Sequence, residues 1–105
     1  MENSMDPVQV EHTADTTHVT LEAVLGVADA RLLYDKLGAA LTGATSIVMD
    51  GRRVERIDTA AMQVLANFCR AARERGQALV WQNPSTGLQQ AAHALGLEAM
   101  LEMNP

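Results

Sequence analysis

Two stretches near the start of the chain alternate apolar and polar residues. They cover residues 8–12 (VQVEH) and residues 18–22 (HVTLE). A period of two residues is typical of a strand with one buried face. The polar residues 13–17 lie between these stretches, so the pattern predicts a β-hairpin with this segment as its connection.

The pattern then changes to a helical repeat. Leucines recur every four residues from position 33 to position 41, which predicts an amphipathic helix over residues 29–41. Asp29 is the predicted N-cap, because its carboxylate can accept hydrogen bonds from free amides of the first turn. Gly43 is the predicted stop of this helix.

A short strand and a second amphipathic helix follow. Residues 46–50 (SIVMD) are rich in β-branched side chains, which favours a buried strand. Asp58 is the predicted N-cap of the next helix, which should end near Gly76. Its predicted apolar face consists of Ala61, Met62, Leu65, Phe68, Cys69 and Ala72.

The last part of the chain predicts one more strand and two helical segments. Residues 77–81 (QALVW) are the strand, and Thr86 with Gln89 has the spacing of a capping box for a third helix that ends at Gly96. A short helical turn over residues 97–101 should close the chain. The alternation of strands and helices predicts an α/β fold, a small mixed β-sheet of about four strands with helices packed on it.

Composition and charge narrow the function classes. A chain of 105 residues predicts one domain, over residues 8–105, behind a flexible polar segment of residues 1–7. The net charge of −5 disfavours binding to nucleic acid. No apolar run approaches about 18 residues, and the chain opens without a secretory signal pattern. We therefore expect a cytoplasmic domain with no membrane insertion.

The pair Asp58–Thr59 is the strongest candidate site. A strand-like segment leads into it and a helix begins directly after it, so the Thr59 hydroxyl lies near the positive end of a helix dipole. The pair could be an ordinary helix cap or the place of a regulated hydroxyl group. The nearby arginines could offset a phosphate or form a solvated connector. These are Arg52, Arg53 and Arg56.

The sequence offers few other candidates for catalysis, metal binding or phosphate binding. Cys69 lies on an apolar helix face, where a buried inert thiol is expected. The three histidines, His12, His18 and His93, are scattered without the spacing of metal ligands. No phosphate-binding loop and no nucleophile–base set can be assembled. We therefore predict no catalytic residues, no cofactor and no metal.

Five segments between residues 47 and 97 carry a family resemblance. In order they are residues 47–50 (IVMD), 56–65 (RIDTAAMQVL), 71–76 (AARERG), 83–85 (NPS) and 95–97 (LGL). Their order and spacing resemble the STAS family, which includes anti-sigma factor antagonists and the cytoplasmic tails of sulfate transporters. The resemblance covers about half of the chain and implies a small mixed sheet with helices, generally without catalytic activity.

The resemblance also implies a mechanism. In the antagonist branch of the family, the hydroxyl residue after the aspartate is phosphorylated by a partner that is both a kinase and an anti-sigma factor. That residue is Thr59 here, and Asp58 supports it as the N-cap. We therefore expect a non-enzymatic interaction module in bacterial signalling whose partner is a GHKL-type anti-sigma factor and serine kinase. The expected partner-binding residues are Arg56, Asp58, Thr59, Ala60, Met62 and Gln63.

Two alternatives stay open within the same resemblance. Thr59 followed by Ala60 also resembles the single-domain STAS subunits that dock on the ATPase of bacterial lipid-transport ABC complexes, and the STAS proteins associated with chemotaxis. The antagonist branch usually has an aspartate before the first helix, where this chain has Gly26. The oligomeric state and the identity of the partner do not follow from the sequence.

Overall fold

The structure, a computed structural model, describes residues 6–43 and 45–103 and contains six strands. Along the chain they are β1 (Val8–Thr13), β2 (Thr16–Leu21), β3 (Val24–Leu25), β4 (Ser46–Asp50), β5 (Arg56–Ile57) and β6 (Ala78–Gln82). The main sheet has the order β1-β2-β4-β6, in which β1 is antiparallel to β2 and the other neighbours are parallel. The predicted α/β fold with a mixed sheet of about four strands is confirmed.

In the described part of the chain, four helices accompany the sheet. They are α1 (Ala30–Ala40), α2 (Thr59–Glu74), α3 (Thr86–Ala94) and α4 (Glu98–Leu101), and a 3₁₀ turn (Val27–Asp29) precedes α1. α1 and α2 pack against each other, and they contact β1 and β6 respectively. The predicted apolar stripe of α2 is confirmed, since all six of its members are buried.

The core lies between the sheet and these helices. From the strands it takes the side chains that point toward the helices, and from α1 and α2 it takes the apolar stripes. Val19 and Met49 from the sheet, and Leu33 and Leu65 from the helices, are completely buried. Burial of each such side chain contributes about 1.5–3 kcal/mol of transfer free energy, which makes this layer the main source of stability.

The hairpin has a shorter turn than predicted. Residues 13–17 were expected to form the connection, but Thr13 pairs with Thr16 and only residues 14 and 15 remain in the turn. Ala14 adopts a left-handed conformation there, with φ of 53°. Thr17 belongs to β2 and is completely buried, and its hydroxyl forms a 3.0 Å hydrogen bond with the His12 ring. The threonines resemble loop residues in sequence, but the pairing with β1 places them in the sheet.

Two of the three predicted helix caps differ from expectation. Asp29 precedes α1, but its carboxylate accepts a hydrogen bond from the Gly26 amide at 2.8 Å and caps no amide of α1. The N-cap of α3 is Ser85 and not Thr86, because the Ser85 hydroxyl accepts from the Leu88 amide at 3.0 Å. The predicted capping box is absent there, since the Gln89 side chain donates to the carbonyl of Pro84.

The helix stops agree with prediction. The residues expected to end α1, α2 and α3 all have positive φ, which glycine adopts without a steric penalty. The values are 80° at Gly43, 77° at Gly76 and 69° at Gly96. The short final turn is also present, as α4.

Of the predicted flexible segment, the structure describes Asp6 and Pro7. Residues 1–5 of the predicted flexible segment lie outside the described residues. Asp6 accepts a hydrogen bond from the Lys36 ammonium at 2.7 Å, and the Pro7 carbonyl accepts from the Glu22 amide at 3.0 Å. No helix in the described part of the chain is both long and apolar enough to cross a membrane.

Candidate functional site

The candidate site begins with a ladder of two residue pairs that the sequence pattern did not reveal. β3 and β5 pair in parallel, with Val24 opposite Arg56 and Leu25 opposite Ile57. The Asp58 amide then donates to the Leu25 carbonyl at 2.8 Å. These backbone bonds fix the start of α2 against the segment that precedes α1.

Asp58 caps α2 as predicted. Its backbone is extended, with φ of −79° and ψ of 155°, and its carboxylate accepts from the Ala60 amide at 3.1 Å. The cap satisfies one of the free amides of the first turn and places a negative charge at the positive end of the helix dipole. Thr59 is therefore the first residue of α2, and its side chain is exposed.

The other predicted partner-binding residues divide into two groups. Arg56 and Gln63 are exposed and Ala60 is half-buried, so all three contribute to the surface around Thr59. Met62 is completely buried and belongs to the core. Its predicted role in direct partner contact is therefore wrong, because its side chain cannot reach a partner.

The surface around Thr59 also contains two exposed valines that the sequence pattern does not indicate as site residues. Val24 is 50% exposed and Val27 is 66% exposed, although apolar side chains of this size normally enter the core. The first lies on the ladder that holds Asp58, and the second lies in the 3₁₀ turn that packs against α2. We call the exposed residues Val24, Val27, Arg56, Asp58, Thr59 and Gln63 the switch surface.

A shallow depression forms part of the switch surface. It has a volume of about 360 Å³, and its lining includes Val24, Gly26, Arg56 and Asp58. The depression is open to solvent, whereas a small-molecule site encloses most of its ligand, so its apolar wall and its two charged side chains suit a protein side chain better.

The basic cluster does not converge on Thr59. Arg52 pairs with Asp50 and Arg53 pairs with Glu22, each at 3.4 Å. Both are exposed pairs that contribute at most about 1 kcal/mol each. Among the residues that the structure describes, Arg56 is the member of the cluster without an ion pair. It is also the member that lies on the switch surface.

The other residues considered for catalysis or metal binding are buried in the core or paired on the surface. Cys69 is completely buried, and burial raises the pKa of its thiol to about 12, with a smaller contribution from Glu102. His93 forms a 2.5 Å contact with Glu98 on the surface. Within the described residues, His, Cys, Asp and Glu form no group of three that could hold a metal ion.

A family model described as "Mlab, STAS domain" matches residues 8–102. The chain belongs to the STAS family. The match extends over both the switch surface and the sheet, so the resemblance expected from residues 47–97 is confirmed and extends back to residue 8. No curated protein matches the chain.

Solved structures share the fold of this STAS domain. The anti-sigma factor antagonist SpoIIAA in its unphosphorylated form gives a TM-score of 0.74 at 19% identity, over 89% of this chain and 84% of that chain. An anti-sigma factor antagonist from Mycobacterium paratuberculosis gives 0.67 at 21% identity, over 88% and 79%. A sulfate transporter family protein from Wolinella succinogenes gives 0.70 at 21% identity, over 85% and 73%. These likenesses show a common fold.

Proposed function

We propose that this STAS domain is a protein-binding module in bacterial signalling, similar to an anti-sigma factor antagonist, in which phosphorylation of Thr59 controls partner binding. The observation that supports the proposal is the exposed hydroxyl of Thr59 at the first position of α2, beside exposed Val24 and Val27. Exposed apolar side chains with a polar rim are typical of a surface that binds a protein. The domain acts through binding and not through catalysis.

A phosphate on Thr59 would act on the interface and not on the helix. It adds a charge of about −1.5 to −2 at pH 7, and the free amides at the start of a helix favour such a charge. α2 therefore stays folded after modification. A partner that covers the two valines would have to desolvate the phosphate beside the Asp58 carboxylate, which opposes binding. The unmodified domain is thus the binding form.

The proposed partner is a GHKL-type protein that is both anti-sigma factor and kinase. It would bind the switch surface, place Thr59 in its active site and dissociate after phosphate transfer. Met62 would support this surface from beneath, while Gln63 and Arg56 would contact the partner directly. The resemblance of residues 56–65 to antagonists and the exposed position of Thr59 support this proposal.

A second candidate is a subunit that docks on the ATPase of a lipid-transport ABC complex. The resemblance of Thr59-Ala60 to such subunits favours it, as does Gly26, whose place is held by an aspartate in kinase-regulated antagonists. In the structure, the Gly26 amide donates a hydrogen bond to the Asp29 carboxylate, and glycine presents no side chain at this point beside the switch surface. Binding would then be constitutive and would need no phosphate.

The test uses substitutions at Thr59 in affinity capture from the native cells. Thr59→Ala should retain the partner, whereas Thr59→Glu should weaken capture at least tenfold, since like charges brought together at an interface cost several kcal/mol. Thr86→Glu is the matched control, because Thr86 is also an exposed first residue of a helix. Intact-mass measurement with fragmentation of the native protein locates any phosphate.

The results separate the two candidates. Capture of a GHKL-type kinase, with phosphate on Thr59, supports the antagonist-like switch. Capture of an ATPase and a permease, with unmodified Thr59 under several growth conditions, supports the docking subunit. If Thr59→Glu binds the same partner as strongly as wild type does, the switch surface is not the interface and both proposals fail.

A further inference from the structure

An uncharged stretch of sequence forms one edge of the main sheet. Residues 76–97 contain no aspartate, glutamate, lysine or arginine, although 20% of the chain is charged. β6 lies in this stretch and is the last strand of the order β1-β2-β4-β6, so one side of it has no neighbouring strand in the described part of the chain. Depletion of charged residues is the compositional sign of the core of a protein interface. The stretch therefore marks the β6 edge as a candidate contact surface.

The backbone of β6 directs alternate residues toward this edge. The amide of Ala78 and the carbonyl of Gln82 both bond to the segment that contains β4, at 3.1 and 3.4 Å. The even-numbered residues of β6 thus pair with β4, because backbone groups alternate between the two sides of a strand. The amides and carbonyls of Leu79 and Trp81 therefore point outward, and no backbone group among the described residues bonds to them.

β6 also lacks the devices that protect most edge strands. Such strands usually carry a charge, a proline or a bulge that prevents pairing with another chain. β6 has none of these, and its register with β4 is continuous, whereas the opposite edge strand, β1, contains Glu11. Leu79 and Trp81 pack against the core, so Val80 between them lies on the other face of the sheet, where it is 57% exposed.

A depression lies along the free side of β6. Its volume is about 450 Å³, and its lining includes residues 79–81, Gln89 of α3 and Met103. It is open to solvent, so a strand added about 4.8 Å from β6 can enter it. Glu102 is the charged residue of the lining, and its carboxylate already pairs with Arg73 at 2.5 Å. An approaching chain therefore meets a lining whose charge is balanced.

We propose that β6 pairs antiparallel with β6 of a second copy of this chain, about a two-fold axis at Val80. Val80 then lies opposite its own counterpart, and Leu79 lies opposite Trp81 of the second copy. In that register the outward amides and carbonyls of the two chains form four hydrogen bonds, because residues that exchange both bonds alternate with residues that exchange none. The two four-stranded sheets become one. This dimer goes beyond the proposed function and uses no residue of the switch surface.

The charge of the chain favours a second copy as the occupant of this edge. Two chains that each carry −5 repel one another where ionised side chains meet. Across the proposed pairing valine meets valine, leucine meets tryptophan and Ala78 meets Gln82, so no like charges oppose each other. Apolar and aromatic cross-strand pairs of this kind stabilise a sheet, and the strand is its own complement, as a two-fold interface requires. A positively charged partner, by contrast, would gain nothing from an uncharged strand.

Sedimentation equilibrium of the full chain measures the association. Two five-residue strands form a small interface, so we expect a dissociation constant of about 10–500 μM. Val80→Lys opposes two ammonium groups at the axis and should raise that constant at least tenfold, although it makes each chain less negative. Leu32→Lys is the matched control, because Leu32 is an exposed apolar residue of α1 and the net charge changes equally. It should dimerise at least as strongly as wild type, and circular dichroism below the dimer range checks that both variants are folded.

Cross-linking tests the register. Opposed residues of a non-hydrogen-bonded antiparallel pair lie about 4.5 Å apart at Cα, which permits a disulfide. Val80→Cys, oxidised with glutathione disulfide, should therefore form a covalent homodimer. Ala78→Cys should not, because its own counterpart lies about 14 Å away along the neighbouring strand. A mixture of Ala78→Cys and Gln82→Cys should form a heterodimer. The native Cys69 is completely buried and does not compete.

Hydrogen exchange measured by NMR tests the backbone bonds. The Leu79 and Trp81 amides should exchange about fivefold more slowly at a chain concentration about ten times the dissociation constant, where about one fifth of the chains remain single. The Ala78 and Val80 amides bond to β4 in both forms, so their exchange should be nearly independent of concentration.

Three results would overturn the proposal. The first is a chain that stays monomeric up to about 1 mM. The second is a dimer that Val80→Lys leaves unchanged, or in which Val80→Cys and Ala78→Cys cross-link equally. The third is protection of the Leu79 and Trp81 amides by another protein while the purified chain is monomeric, which would assign the edge to a foreign strand. None of them bears on Thr59, because Val80→Lys should capture the partner of the switch surface like wild type.

Discussion

The backbone amide of Asp58 donates a 2.8 Å hydrogen bond to the carbonyl oxygen of Leu25. This bond continues the ladder between β3 and β5, so the residue that caps α2 is tied directly to the segment that carries Val24 and Val27. Backbone groups therefore hold the switch surface in place. Its exposed side chains are left free for a partner, and substitutions among them should change binding more than folding.

The cap itself can be tested by substitution. Asp58→Ala removes the acceptor of the Ala60 amide, so we expect a loss of about 1 kcal/mol in the free energy of unfolding. Asp58→Asn retains an acceptor oxygen, so it should lower the free energy of unfolding by only about 0.3 kcal/mol. Urea unfolding of the three proteins measures both differences. Equal losses for alanine and asparagine would show that the carboxylate charge, and not the cap geometry, stabilises α2.

Ser85 should contribute more to the stability of the fold than its neighbour Thr86. The Ser85 hydroxyl accepts from the Leu88 amide at 3.0 Å and donates to the Val54 carbonyl at 2.5 Å, so it joins α3 to the loop before β5. Ser85→Ala should lower the free energy of unfolding by about 1–2 kcal/mol, because it removes a cap and leaves the Val54 carbonyl without this donor.

Thr86→Ala is the control for that measurement. Thr86 is exposed and begins α3 without capping it, so its substitution should stay within about 0.5 kcal/mol of wild type. Thermal or urea unfolding of Ser85→Ala and Thr86→Ala shows which of the two residues caps α3. A larger loss at Thr86 than at Ser85 would restore the capping box that the sequence predicts.

The difference between these two residues shows where prediction from sequence succeeds. Asp58 is recognised correctly because its cap depends only on the residues beside it. Ser85 and Thr86 are adjacent and chemically alike, so the pattern cannot choose between them. The choice is made by the Val54 carbonyl, which is distant in sequence and reaches Ser85 only in the folded chain.

The candidate site was predictable to a similar extent. Thr59 and Asp58 follow from a local motif, whereas the exposure of Val24 and Val27 depends on a ladder of only two residue pairs, too short to give a periodic pattern. Met62 is the opposite case. The helical periodicity places it on the apolar face of α2, which argues against a direct contact with a partner.

Gly87 should resist substitution because of a close backbone contact. A Cβ on Gly87 would lie 2.9 Å from the carbonyl oxygen of Glu55, a backbone atom that cannot move aside without shifting the loop before β5. Gly87→Ala should therefore lower the free energy of unfolding by about 1–3 kcal/mol. Gly38→Ala is the control at an unobstructed position and should raise it by up to about 1 kcal/mol.

Both glycine variants are compared with wild type by urea unfolding under the same conditions. The Gly38 variant then reports the helix preference at an unobstructed position. If Gly87→Ala were as stable as wild type, the turn from Ser85 into α3 would be less closely packed on Glu55 than the structure indicates.

The buried thiol of Cys69 makes stability depend on alkaline pH. Burial raises its pKa from 9.0 to about 12 in the folded protein, so the unfolded chain loses this proton at a lower pH than the folded chain does. The stabilisation is complete below pH 9 and is lost as the pH rises from 9 toward 12. The slope is at most about −1.4 kcal/mol per pH unit, because one proton is involved.

Cys69→Ala isolates this contribution from the other groups that titrate in alkali. At pH 8 the variant should be less stable than wild type, because it loses buried contacts of the sulfur atom. Between about pH 9 and 10.5 the difference in urea unfolding free energy between the two proteins should narrow steadily. The same raised pKa should leave the wild-type thiol unreactive toward an aromatic disulfide reagent at pH 8 until urea unfolds the chain. A difference that stays constant with pH, together with rapid labelling of the folded protein, would mean that the thiol is accessible to solvent in the native state.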